Sequence, residues 1–350
     1  MIKFFRHIRK SLIEKNQMGK YFKYAIGEIL LVVIGILIAL QINNWNENKK
    51  IENEITQTIS DLENDLTYNH KEAQRILKFY YQMDSLTKLG IYKKLKKEDY
   101  YENNFLDYLT TNWDQLRPKT SNIIKLIDYE KDAKKEYKEV IEEAKLLRDQ
   151  KVDLDSNWEH VTKVISDELE YMSQYLFTSA KDSINKEAKI NFFLNNPEYE
   201  KRLYKSWSMN QVYYDNISRY MAVNLATLLK IKQANKDFDT SKMKQLLANY
   251  NMKPFKKAAC SESQITTQQY RKYRASHLLV NTTKDSIFLN LYFDKKATSQ
   301  LILEPYQMAR SHSYFVGVDG NQNVLYEQVD NSGNCIKKFR AIQNGYLIIE

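Results

Sequence analysis

The chain is poor in the residues that punctuate or crosslink a fold. Its 350 residues hold two Cys, four Pro and eight Gly. So few of each exclude a collagen-like repeat, a Gly/Pro-rich low-complexity segment and a disulfide-framework domain. Reaction signatures are also missing. There is no Walker loop, G-x-G-x-x-G or G-x-S-x-G, no C-x-x-C, and no H-x-x-x-H or E-x-x-H among His7, His70, His160, His277 and His312. Nucleotide cradles, nucleophile elbows and local metal scaffolds are therefore not readable, and no cofactor is expected. Carboxylate pairs such as Asp61 with Asp65, or Asp167 with Glu170, read as solvated helix faces. What is present is 43% hydrophobic and 13% aromatic residues, enough to build a core and to exclude a disordered chain.

The charge is lopsided. Of a net +9, residues 1–23 supply six, from Lys3, Arg6, Arg9, Lys10, Lys15, Lys20 and Lys23 against Glu14. The rest is too dilute for a phosphate-binding face, so nucleic acid is not an expected partner. A basic arm ahead of an apolar run reads as a membrane-orienting flank. The run from Tyr24 to Ile42 would make a helix of roughly 28 Å, close to the bilayer core. No later apolar stretch reaches ten residues, so one span is expected. The positive-inside rule places the N-terminus in the cytoplasm and Trp45 at the far interface. Leu40-Gln-Ile-Asn-Asn44 offers no small-x-small site, which argues for an anchor over a cleaved signal.

Two features lie inside the span. Gly27, Gly35 and Ala39, spaced in fours with Leu31, share one helical face that could pack against a second copy. Glu28 is an intramembrane acid about one turn from the cytoplasmic edge, a functional group by default or a snorkelling side chain near Lys20 and Lys23.

Beyond the span, Ile55, Ile59, Leu62, Leu66, Asn69, Ala73, Ile76, Tyr80 and Met83 follow heptad spacing. Asn69, its polar member, would fix the register of a coiled coil, or the stripe packs inside its own chain's bundle. Further apolar stripes at Tyr129 to Leu147, Trp158 to Leu176 and Tyr199 to Leu228, with no glycine between Gly90 and Gly317, predict a helical bundle. Asn196 as N-cap and Pro197 at the first position mark the start of the last helix. Clustered rings at Phe79-Tyr80-Tyr81, Tyr100-Tyr101 and Tyr213-Tyr214 fill that bundle or line a cavity.

After residue 253 the period falls toward two. Strands are expected at Leu278 to Asn281, Ile287 to Phe293, Leu301 to Glu304, Ser313 to Val318, Val324 to Val329, Ile336 to Ala341 and Tyr346 to Ile349. Asp319-Gly320, Asn331-Ser-Gly-Asn334 and Asn344-Gly345 supply the turns. The fold class is α+β: a transmembrane helix continuing into a helical bundle, then a small antiparallel β-sandwich. The expected domains are a basic arm (1–23), the span (24–44), stalk and bundle (45–252) and a β-rich part (253–350). Cys260 and Cys335 are either disulfide-bonded or two buried thiols.

Met1-Ile-Lys-Phe-Phe-Arg6, Tyr24-Ala-Ile-Gly-Glu-Ile29 and Leu31-Val-Val-Ile-Gly-Ile-Leu-Ile-Ala-Leu-Gln-Ile-Asn-Asn-Trp45-Asn resemble a family of bacterial single-pass membrane proteins of unknown function. That resemblance implies an envelope location in a two-membrane bacterium and no particular activity. Val280-Asn-Thr-Thr283, Leu291-Tyr-Phe-Asp294, Leu303-Glu-Pro305 and Ser313-Tyr-Phe-Val-Gly317 faintly resemble the von Hippel-Lindau type β-domain. The Gly-His-x-Trp peptide-binding pattern of that type is Gly317-Val-Asp-Gly320 here, so its ligand chemistry does not carry over.

The expected function is a non-enzymatic inner-membrane protein with periplasmic domains that bind a protein or ligand, in contact with the bilayer and open to homodimerisation. The alternatives are an extracytoplasmic sensor acting through a separate partner, and a hydrolase built from scattered residues.

Overall fold

The computed structural model describes residues 18–176, 183–233, 238–262, 272–292, 297–316, 321–342 and 345–350. Most of the basic arm, the Gly317-Val-Asp-Gly320 stretch and Asn344 lie outside them. The chain divides into two units, Met1–Gln57 with Lys131–Ala133, and Thr58–Glu130 with Lys134–Glu350.

Helix α1, Met18–Ile91, contributes to both units. In the first unit its Ala25-onward part contains an 18-residue window of mean hydropathy 2.6, none of it buried. Ile29, Leu31 and Ile36 are all more than half exposed. A helix this apolar that no other described part of the unit covers is long enough to cross a membrane.

In the second unit α1 presents the heptad stripe inward. Leu62, Leu66, Asn69, Ala73, Ile76, Tyr80 and Met83 are all buried. The stripe is therefore consumed inside its own chain. After α1 come α2 (Lys97–Glu102), a 3-10 turn (Asn104–Tyr108), α3 (Ser121–Asp128) and α4 (Lys135–Leu176). Then follow α5 (Ser183–Asn195), α6 (Pro197–Gln233) and α7 (Thr240–Asn249).

Helix α4 joins two of the expected helices into one of 42 residues. Its stripe also differs by one position: Val164 and Glu168 are buried, whereas Leu169 is 51% exposed. Arg202 explains the exchange, because its Nη1 donates to Glu168 Oε1 at 3.0 Å and compensates a carboxylate at a core position. Helix α6 starts where Asn196 Oδ1 accepts the backbone N–H groups of Glu198 and Tyr199 at 2.9 and 3.0 Å. From Val223 to Leu229 every α6 residue is buried, as befits a helix covered on all sides. It packs on α4 and on two strands of the β-rich part, Lys272–Asn281 and Met308–Val316.

The β-rich part forms two sheets. One has the order β1 (Lys253–Pro254), β9 (Gly345–Ile349), β3 (Lys272–Asn281), β6 (Met308–Val316). The other runs β2 (Lys256–Ala258), β8 (Cys335–Ile342), β7 (Asn321–Val329), β4 (Ile287–Tyr292), β5 (Ala297–Leu303). Strand β9 is parallel to both β1 and β3, so the sandwich is mixed and not antiparallel throughout. Four of its five residues are buried, which suits a strand inserted between two parallel neighbours. Leu279, Leu289, Leu303, Tyr326, Ala341 and Leu347 form the core of this part. At the β7–β8 turn, Asp330 Oδ1 accepts from the backbone of Ser332 and Asn334, and Gly333 takes φ 83°.

Candidate functional site

The residues singled out in the apolar segment stay on its surface. A Cβ on Gly27 or Gly35 would meet nothing within 4 Å, and Ala39 is exposed, so their common face is not covered by any of the described residues. Glu28 is half-buried on the same helix. Cys260 and Cys335 are disulfide-bonded with Cα atoms 6.0 Å apart. The bridge fastens the 253–262 segment to β8, where Lys338 Nζ also donates to the carbonyls of Cys260 and Glu262, each at 3.1 Å. Lys338 pairs with the buried Glu327 at 3.2 Å, and the Tyr292 hydroxyl donates to the other Glu327 oxygen. This arrangement binds one edge of the sandwich together and leaves no reactive thiol.

Asn69 pins a loop. Its Nδ2 donates to the Lys119 carbonyl at 2.9 Å and to the Tyr220 hydroxyl at 3.1 Å, while its Oδ1 accepts from Lys119 N at 2.8 Å. The polar position of the stripe is thus spent on folding this chain. Asp84 is similarly structural: it accepts from Trp207 Nε1 at 2.7 Å and Gln211 Nε2 at 2.8 Å, and pairs with Lys88 at 2.8 Å.

One site is not so spent. Thr67, His70 and Gln74 lie three and four apart on α1, and so share a face. That face meets the end of α7. There Asn251 takes φ 57°, its N–H bonds the Ala248 carbonyl at 2.9 Å, and Met252 N bonds the Leu247 carbonyl at 3.0 Å. This is the Schellman geometry, with Asn accepting the left-handed position that ends a helix. It turns Tyr250 and Met252 back toward α1. The Tyr250 hydroxyl lies 3.1 Å from Thr67 Oγ1, and its carbonyl accepts from Gln74 Nε2 at 2.8 Å.

Between these anchors is a pocket of about 20 Å³ lined by His70, Gln74 and Tyr250, by Ser218, Met221 and Leu225 of α6, and by Met252 and Leu278. His70 is 1% exposed and stands edge-on to the Tyr250 ring, with centroids 4.5 Å apart. Burial pushes the imidazole down to about 4, opposed by a hydrogen bond with the Tyr250 backbone. Its neutral form therefore prevails at ordinary pH, with a lone pair available. No group of three His, Cys, Asp or Glu side chains suited to a metal occurs among the described residues.

Sequence reasoning missed this pocket, since its walls come from positions about 180 residues apart. His160 is exposed, while His7 and the His312 side chain lie outside the described residues.

The chain matches the model of a family of unknown function (DUF6090) over residues 28–102, a span that begins in the apolar segment and covers the rest of α1. No curated protein and no solved structure matches it.

Proposed function

We propose that this is a non-enzymatic, single-pass protein of a bacterial inner membrane, whose helical bundle and β-sandwich act as a periplasmic binding module. The observation that carries the reading is the uncovered apolar part of α1, which water would solvate poorly and lipid would accept. The basic residues clustered before it support a cytoplasmic N-terminus. The Cys260–Cys335 bridge supports an oxidising compartment for the remainder. Gly27, Gly35 and Ala39 then face lipid or the same face of a second copy.

A sensing role is the second reading. It is favoured because the helix bearing the apolar segment also carries His70, so occupancy of the pocket would act directly on the anchor helix. Paired reporter fusions at residue 350 test the topology. A periplasm-active reporter is expected to be active and a cytoplasm-active one silent, and the reverse pattern would refute the orientation.

A further inference from the structure

We infer that the Cys260–Cys335 disulfide is a redox-sensitive clasp, whose reduction by a dithiol frees residues 256–262 from β8 while the rest of the sandwich stays folded. Cys260 is exposed and Cys335 half-buried, so a thiolate can reach the bond in the folded protein. Exposed disulfides are the labile ones.

The clasp matters because little else holds this strap. None of its side chains from Lys256 to Glu262 is buried. It pairs with β8 over three residues, Lys256 with Arg340, Lys257 with Phe339 and Ala258 with Lys338. Lys338 Nζ adds the carbonyls of Cys260 and Glu262 at 3.1 Å, and Arg340 pairs with Glu262. Hydrogen bonds and an ion pair at a wet surface contribute little net free energy, against the chain entropy lost by ordering seven residues. With the bridge closed the strap cannot leave, and with it open that entropy favours leaving. Release stops at Phe255, which is buried, stacks on Tyr326 with ring centroids 5.3 Å apart, and donates its N–H to the Tyr346 carbonyl at 2.9 Å. On its other side β8 keeps its ladder to β7. Reduction therefore uncovers one edge of β8, together with the Lys338 ammonium that the strap carbonyls now occupy, without opening the core.

The exchange transfers two electrons and two protons to the chain. One thiolate of the dithiol attacks Cys260 Sγ, the S–S bond breaks, and Cys335 Sγ leaves as a thiolate that takes up a proton. The second thiol then displaces Cys260 Sγ, which is protonated in turn as the dithiol closes its own disulfide. The inference stands independently of the membrane reading.

The test is hydrogen–deuterium exchange on the detergent-solubilised full chain, with and without dithiothreitol and without denaturant, with thiol alkylation in parallel. Reduction is expected to make both cysteines alkylatable and to speed exchange at least tenfold in 256–262, leaving 278–281 and 345–349 unchanged. The double variant Cys260→Ser, Cys335→Ser should show the fast exchange without reductant. A bond that resists dithiothreitol until denaturant is added, reduction that leaves exchange of 256–262 as it was, or faster exchange across the whole sandwich would each overturn the inference.

Discussion

Single side chains decide how firmly the second unit is held. Asn69 satisfies both backbone groups of Lys119. Asn69→Leu keeps the volume but strands those groups, and should cost about 2–4 kcal/mol in denaturant unfolding. Arg202→Met should cost about 3 kcal/mol, because it leaves Glu168 buried without its cation. Burial already raises the Glu168 carboxyl against the pull of Arg202. That variant should therefore recover stability as the pH falls and Glu168 takes up a proton. His70 gives the opposite slope. Its pKa falls from 6.5 to about 4 on folding, so the folded state resists the proton that the unfolded chain accepts. The protein should be unaffected by this group above pH 7 and lose up to about 3 kcal/mol between pH 6.5 and 4. His70→Leu should remove that part of the slope in pH-dependent unfolding, and an unchanged slope would show that His70 is not the group responsible.

At the level of elements, the helices were legible where one face alone is buried. The α1 stripe and the Asn196-Pro197 start of α6 follow from spacing and capping, as do strands β4 and β7. The register of α4 was not legible. Apolar character favours Leu169 over Glu168, and a cation 34 positions away on α6, Arg202, reverses that choice. Strands β1 and β2 escaped for a related reason: Lys253-Pro254 and Lys256 to Ala258 have no strand pattern, and pairing with β9 and β8 alone makes them strands. The disulfide holds the same segment. By loop entropy, closing a separation of 75 residues contributes about 4 kcal/mol. Cys260→Ser should lose most of it, detected as a lower unfolding midpoint, and should match the reduced wild type. Close packing is as consequential as pairing. A Cβ on Gly90 would lie 2.7 Å from Leu203 Cδ2, so Gly90→Val should cost about 1–3 kcal/mol by pushing α1 off α6, whereas a Cβ on Gly35 meets none of the described residues within 4 Å, so Gly35→Val should cost little.

For the whole molecule, the local signal and the long-range one separate cleanly. An apolar run is readable from composition because hydropathy is a property of each residue taken by itself. The His70 pocket is not, because Met221, Tyr250 and Met252 reach it only through the packing of α6 and α7. The family match over residues 28–102 takes in most of the apolar segment and His70, but none of the pocket residues that α6 and α7 supply. The most direct measurement on the central claim is sedimentation of the full-length chain from detergent-free lysate, followed by extraction of the pellet at alkaline pH. The account predicts that the protein stays in the pellet through the alkaline wash and is released only by detergent. Recovery in the first supernatant would contradict it.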